Sequence, residues 1–302
     1  MQSERIIVTG SAGFIGSHLT QSLVAGGAAV LGIDNYDPFY DTAIKRANQD
    51  ANRDAADASP GSYEFTEADI AEPDAFAIAA ERFRPTGVIH LAAKAGVRPS
   101  IADPAGYARA NVVATTEVLN AAHALRCTRV VVASSSSVYG NSATTPFSEE
   151  DTCLAPISPY AATKRACELI AHTHHHLTQQ PVSCLRFFTV FGPRQRPDLA
   201  IAKFMRIIDA GETITMFGDG STSRDYTFIN DIVAGITAAY ERTPDFGFRI
   251  WNLGSDRPTR LDDMINTIAD VVGKPAVIEQ TGMQPGDVDR TWADLARAHE
   301  EL

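Results

Sequence analysis

The chain opens with a short apolar run, Arg5-Ile-Ile-Val-Thr9, then a small-residue turn, Gly10-Ser-Ala-Gly13-Phe-Ile-Gly16, then apolar residues at helical spacing, Leu19, Leu23 and Val24. An apolar run bounded by glycine predicts a buried strand, and the spacing after it predicts a helix. The alternation repeats. Ala29-Val-Leu-Gly-Ile33 reads as a second strand ending at Asp34, Tyr63-Glu-Phe-Thr-Glu-Ala68 as a third with Asp69 and Ile70 at its end, and Gly87-Val-Ile-His-Leu91 as a fourth. A helix from about Asp103 to Leu125 leads into the apolar strand Arg129-Val-Val-Val-Ala133. A helix carrying Tyr160 and Lys164 runs on to about Leu177, and Val182-Ser-Cys-Leu-Arg-Phe-Phe188 is the sixth strand. Strands alternating with helices predict an α/β fold with a doubly wound parallel sheet. Beyond Gly192-Pro193 the elements shorten and carry Arg194, Arg196, Arg224 and Arg290, as expected of a smaller C-terminal α/β substrate domain over the strand ends. The expected partition is about 1–190 for the first domain and 191–302 for the second, with about 228–254 returning to the first. The polar stretch from Asn48 to Ser62 is expected to be a mobile surface segment.

Composition narrows the function classes. At 302 residues the chain can bury a large core, and its formal charge of -11 argues against a nucleic-acid or anionic-membrane partner while leaving room for a local basic pocket. No apolar run approaches the length that crosses a bilayer, and Met1-Gln-Ser-Glu-Arg5 opens straight into a strand, so no membrane partner and a cytoplasmic enzyme are expected. Cys127, Cys153, Cys167 and Cys184 lack metal or redox spacing and read as free thiols. His172, His174, His175 and His176 fall at a helix end with no carboxylate to complete a site, so no metal is expected.

The glycine turn carries the first chemistry. Glycines permit a tight turn and let backbone N–H groups approach a pyrophosphate at a helix N-terminus, which makes Gly10, Gly13, Phe14, Ile15 and Gly16 candidate cofactor contacts. The G-x-x-G-x-x-G spacing is a weak signal alone. It gains force from Asp34, placed with Asn35 at the end of the next strand, where a carboxylate would hold an adenosine ribose and repel a 2′-phosphate, favouring NAD over NADP. Asp69 and Ile70 are placed at an adenine edge. Leu91, Ala92 and Ala93 form a wall small enough for close backbone approach, and Lys94 and Arg98 add positive charge.

The second chemistry lies in Ser134-Ser-Ser-Ser137, followed by Val138-Tyr-Gly140 and later by Tyr160-Ala-Ala-Thr-Lys164. A Tyr and a Lys four apart share a helix face, a pairing common by chance on surface helices. Here it matters because a phenol with a pKa of about 10 needs roughly 4 kcal/mol of phenolate stabilisation to act as a base near neutral pH, and an ammonium at about 4 Å supplies that much. Ser135 is the hydroxyl placed to share a substrate oxygen with Tyr160.

These stretches together resemble the extended short-chain dehydrogenase/reductase family, the NAD-dependent nucleotide-sugar epimerases and dehydratases. The resemblance spans nearly the whole chain: TGSAGFIGSH, HLAAKAGVRPS, SSSSVYG, YAATK, RFFTVFGPRQRPD, GDGSTSRDYTFINDIV and QPGDV. Within the family, DNYDPFYD, ASSSSVYG, RFFTVFGPRQRPD and QPGDV most resemble the UDP-glucuronate 4-epimerases. The resemblance implies a Rossmann-type fold, NAD as cofactor, and C4 epimerisation of a UDP-sugar, most like UDP-glucuronate to UDP-galacturonate, through a transient 4-keto intermediate. It implies Ser135, Tyr160 and Lys164 as catalytic groups, Tyr160 and Lys164 also touching the cofactor. Arg224 becomes a diphosphate ligand, and Arg98, Ser136, Ser137, Thr189, Arg196, Gln284 and Asp287 further substrate contacts. A homodimer through the helices around 103–125 and 158–177 is also implied.

Two departures point away from plain UDP-glucose: Thr189 stands where many members have Asn, and Gln284 where they have a second phosphate arginine. The chain also stops at Leu302, earlier than members with another helix, so the substrate domain is expected to be trimmed or that helix dispensable. Alternatives are a UDP-glucose or UDP-N-acetylglucosamine 4-epimerase, a UDP-glucuronate decarboxylase, a sugar-nucleotide 4,6-dehydratase, or a non-catalytic NAD-binding scaffold. Decarboxylases are expected to carry a Glu before Val-Tyr-Gly, where this chain has Ser136 and Ser137.

Overall fold

A computed structural model describes residues 4–282 and 288–302. The elements run β1 (Arg5–Thr9), α1 (Phe14–Ala25), β2 (Ala29–Asp34), α2 (Thr42–Asp57), β3 (Ser62–Glu67), α3 (Ala75–Glu81) and β4 (Gly87–His90). Next come α4 (Val97–Ala102), α5 (Pro104–Tyr107), α6 (Ala114–Ala124), β5 (Arg129–Ser135), α7 (Pro159–Thr178), β6 (Val182–Phe187) and β7 (Thr189–Phe191). The remainder is α8 (Ala200–Ala210), β8 (Thr213–Phe217), β9 (Ser223–Phe228), α9 (Ile229–Phe246), β10 (Phe248–Leu253), β11 (Pro258–Arg260), α10 (Leu261–Val272), β12 (Val277–Thr281) and α11 (Ala296–Glu301).

Seven parallel strands form the main sheet in the order β10-β6-β5-β4-β1-β2-β3. Strands covered by helices on both faces must be apolar on both faces, and β1, β2, β4 and β5 are buried almost throughout. One face packs on α1 and α9 through Leu19, Leu23, Ile232 and Ile236; the other packs on α3 and α6 through Phe76, Val118 and Leu119. The order turns back between β1 and β4, where successive connections leave in opposite directions and a crevice opens at the strand ends. A separate small core, Phe204, Ile207, Ile208, Ile214, Met216, Met264, Ile265 and Ile268, joins α8, β8 and α10, each side chain contributing about 1.5–3 kcal/mol of burial. The fold is therefore the expected doubly wound α/β architecture of Rossmann type.

Two local expectations need correction. The stretch from Asn48 is not a mobile surface segment: α2 continues to Asp57, Asn48, Gln49 and Asn52 are buried, and the strand β3 begins at Ser62. Its polar residues misled because their partners lie inside the fold, carbonyls of the glycine turn for Asn48 and Asn52 and the Tyr63 hydroxyl for Gln49, pairings that composition cannot reveal. The helix expected over 103–125 has Asp103 as the cap of α5 and a π-helical turn over Ala108–Val113 before α6. Among the described residues no helix is long and apolar enough to cross a membrane, and no group of three His, Cys, Asp or Glu could hold a metal.

Candidate functional site

A cavity of about 410 Å³ opens at the ends of β1, β2, β4 and β5. Its floor at one end is the glycine turn. Gly10 has φ +73°, and a Cβ at Gly16 would lie 2.1 Å from the Gly10 carbonyl, so the turn closes onto α1 only with glycine at both places. Gly13 caps α1 without a side-chain hydrogen bond, which leaves the first-turn N–H groups for a ligand anion.

Asp34, the last residue of β2, accepts from the backbone N–H of Ala12 at 3.2 Å and of Tyr36 at 2.9 Å, with the Lys45 ammonium 3.9 Å away. Burial raises its pKa, and Lys45 with the two N–H groups offsets part of that rise. Asn35, Asp69, Ile70, Leu91, Ala92, Ala93 and Lys94 line the same cavity. Asp69 is paired with Arg109 at 2.9 Å and the Lys94 ammonium with Asp103 at 3.0 Å, so neither brings uncompensated charge to the wall.

At the other end stand Ser134, Ser135, Ser136, Ser137, Tyr160, Lys164, Thr189 and Arg196. Their placement follows from local rules. Ser158 caps α7 by accepting from Ala161 N–H at 3.1 Å with Pro159 at the first position, which sets Tyr160 one turn before Lys164. Lys164, Cys167, Glu168 and Ala171 form the buried stripe of α7, and the Lys164 ammonium donates to the Ala133 carbonyl at 2.8 Å. Ser135 ends β5, where its hydroxyl accepts from Ser137 N–H at 3.1 Å and starts the turn that presents Ser136 and Ser137. The Tyr160 ring meets Tyr107 edge-on at 6.2 Å. Arg196 lies over Phe39 at 5.0 Å and bonds Asp198 through both ends of its fork, at 3.0 and 2.6 Å. Burial disfavours its charge, but Asp198 outweighs that and raises its pKa.

A second cavity of about 150 Å³ shares Ser136, Ser137 and Thr189 with the first and adds Arg224, whose guanidinium donates to Ser223 O at 2.9 Å. Arg98 lies in neither cavity; it is exposed, its guanidinium 4.8 Å from the Phe217 ring. Gln284 and Asp287 lie outside the described residues.

Three groups escaped sequence reasoning. His90 is buried between Thr9 Oγ1 at 2.8 Å and Thr115 Oγ1 at 3.1 Å, and burial with the nearby Lys164 charge lowers its pKa to about 3, so it is a neutral strut under the cavity. Asn111 accepts from Lys94 N–H at 2.8 Å and donates to Lys94 O at 3.0 Å, fixing the wall before α4. Its signal was an Asn in the interior of a helix, where the residue is unfavourable without such a task. Glu168 is fully buried; it accepts from Ser134 Oγ at 2.6 Å and from Arg186 at 2.9 and 3.0 Å.

The sequence pattern of the NAD dependent epimerase/dehydratase family matches residues 6–254. The chain is 38% identical over 313 residues to a probable UDP-glucuronate 4-epimerase of Rhizobium meliloti, covering 97% of this chain and 90% of that one. It is 37% identical to the UDP-glucuronate 4-epimerase of Thermodesulfobacterium geofontis, covering 98% and 89%. Among solved structures it is similar to the UDP-glucuronic acid 4-epimerase of Bacillus cereus in complex with UDP-glucuronic acid and NAD, with TM-score 0.89, 33% identity and coverage of 98% and 92%. With a glycine turn, a strand-end carboxylate and a Tyr–Lys helix on one cavity, and with likeness over almost its full length, the chain belongs to the NAD dependent epimerase/dehydratase family.

Proposed function

We propose that this protein epimerises a UDP-sugar at C4 with NAD as cofactor, and that its substrate pair is UDP-glucuronate and UDP-galacturonate. The observation that carries the reading is one cavity with a glycine turn at one end and Ser135, Tyr160 and Lys164 at the other, sharing the wall of Ser136, Ser137 and Thr189 with a second cavity that holds Arg224. The residues fit the cofactor: an uncapped helix N-terminus for the diphosphate and the Asp34 carboxylate for the adenosine ribose. Bound there, NAD would supply a reversible hydride acceptor for the sugar's C4.

The chain does the rest. Tyr160 as phenolate takes the proton of the 4-hydroxyl and gives it back, Lys164 stabilises that phenolate and holds the nicotinamide ribose, and Ser135 shares the C4 oxygen. Arg224 holds the diphosphate. Oxidation at C4 makes a β-keto acid, which loses carbon dioxide when its carboxylate bond aligns with the carbonyl π system. Ser136, Ser137 and Thr189 hold the carboxylate out of alignment by donating hydrogen bonds to it, and both cavities meet at these three residues. Arg196 acts with Asp198 as a neutral pair at the cavity edge rather than as a bare charge.

In this reading residues 191–302, less the part over 228–254 in which β10 joins the main sheet and α9 packs on its face, are the sugar-binding domain. The protein works as a homodimer through the helices around 103–125 and 158–177, which expose Val113 and Leu169. The test is incubation with UDP-glucuronate, UDP-glucose and UDP-N-acetylglucosamine and product identification by NMR. UDP-galacturonate as the main product is expected; UDP-xylose, or turnover of UDP-glucose alone, overturns the reading.

A further inference from the structure

Helix α2 buries amides where a helix ordinarily buries apolar side chains. Asn48 Nδ2 donates to the Ala12 carbonyl at 2.9 Å, and Asn52 Nδ2 donates to the Ser11 carbonyl at 3.1 Å. Ser11 and Ala12 are consecutive residues of the glycine turn, and both carbonyls are thereby held on α2. Neither Asn48 nor Asn52 lines the cavity.

The direction of these bonds is set by chemistry at both ends. Arg194, on the segment after β7, donates to Gln21 Oε1 at 3.1 Å; Gln21 Nε2 donates to Asn52 Oδ1 at 3.0 Å; Asn52 Nδ2 then faces Ser11 O. A guanidinium can only donate and a carbonyl can only accept, so each amide in the relay has one orientation. The Ser11–Ala12 peptide is held on its other side too, because Ala12 N–H donates to Asp34 Oδ2.

We infer that Asn48 and Asn52 are positioning residues for the cofactor. They pin two carbonyls of the turn to α2, while the N–H groups of the same two peptides are taken up by Asp34 Oδ2 and the Gly10 carbonyl, so the path of the turn is fixed from both sides and the first-turn N–H groups of α1 are held where the diphosphate binds. A flipped peptide would turn its carbonyl oxygen on the Asp34 carboxylate or on the Gly10 carbonyl and leave a buried amide on α2 unpaired, so the turn would lose its shape. Asn48 and Asn52 act through the backbone and touch no ligand.

The first arm of the test reads NAD binding to protein stripped of cofactor, by calorimetric titration, and needs no sugar substrate; the second reads turnover with whichever sugar nucleotide the parent accepts. Its failure is thus separable from failure of the epimerase reading. Asn48→Leu and Asn52→Leu match the amides in size without the donor; Asn48→Ser and Asn52→Ser give the same readout should the leucine variants not fold. Each is expected to weaken NAD about fivefold to tenfold, the scale of one lost hydrogen bond. At saturating NAD, kcat and KM for the sugar nucleotide should stay at the parent values. Arg53→Ala, on the exposed face of α2, serves as the control and should bind NAD as the parent does. NAD affinity within twofold of the parent in both serine variants overturns the inference. So does a loss of kcat at saturating NAD equal to the loss of affinity, because that pattern marks general damage to the fold.

Discussion

Replacing Glu168 by Leu tests how the strand that ends in Ser134 and Ser135 is held. The carboxylate and Arg186 are both about 1% exposed, and Glu168 accepts four bonds: from Ser134 Oγ, from two nitrogens of Arg186 and from Arg165 at 2.9 Å. Burial works against the Arg186 charge, yet the bonds and charge of Glu168 outweigh it and push the pKa up. Among the described residues, leucine would leave that guanidinium the Tyr139 hydroxyl at 2.9 Å and the Tyr139 ring 4.7 Å away in place of its carboxylate partner. Removing one partner of a buried ion pair costs about 3–5 kcal/mol. At about 2.1 cal/mol/K per residue, the 302-residue chain has an unfolding entropy of about 0.6 kcal/mol/K, so Tm should fall by about 5–8 °C. Calorimetry of the cofactor-free variant measures this. The double variant Glu168→Leu, Arg186→Met removes both charges and should recover more than half of the loss, because a buried pair replaced by apolar side chains is close to neutral. A Tm within 1 °C of the parent for Glu168→Leu, or a double variant less stable than the single, refutes the reasoning.

Tyr160→Phe should abolish turnover while NAD stays bound, since the glycine turn is untouched, and Ser135→Ala should lose less; activity of Tyr160→Phe within tenfold of the parent sinks the assignment. Thr189→Ala should weaken the uronate by about 1.5–3 kcal/mol and release some UDP-pentose, both measured by NMR of product mixtures, and unchanged KM with no pentose contradicts this. Glu301 accepts from Arg249 at 2.9 Å and from the indole of Trp251 at 2.7 Å, and the Arg249 bond, with the indole's help against burial, holds its pKa below the ordinary 4.5. A carboxylate with a depressed folded pKa stabilises above its unfolded value, so Glu301→Gln should cost stability at pH 7. The gap to the parent should close as pH falls below about 4.5, as denaturant melts at several pH values will read; a gap that is constant or widens in acid counts against the pair.

Much of the fold was legible because its signals are local. Apolar runs with glycine and helix caps at their ends place β1, β2 and α7 within a residue or two, and strand–helix alternation implies the parallel sheet and the crevice where its order turns back. Asp34 and the Tyr160–Lys164 pair were legible for the same reason: each sits at a fixed offset from an element's end. Only tertiary structure could bring the ends of β1, β2 and β5 to one cavity, or show that Arg196 is matched by Asp198 and that Arg98 rests on Phe217. The polar side of α2 is the clearest case. Asn48, Gln49 and Asn52 look like solvent-facing residues because pattern reading treats polarity as exposure, whereas burial of an amide depends on whether a partner waits inside. The carbonyls of Ser11 and Ala12 are those partners for Asn48 and Asn52, and Tyr63 is the partner for Gln49; which residues meet across the fold is a property of the packed chain, not of any stretch of it.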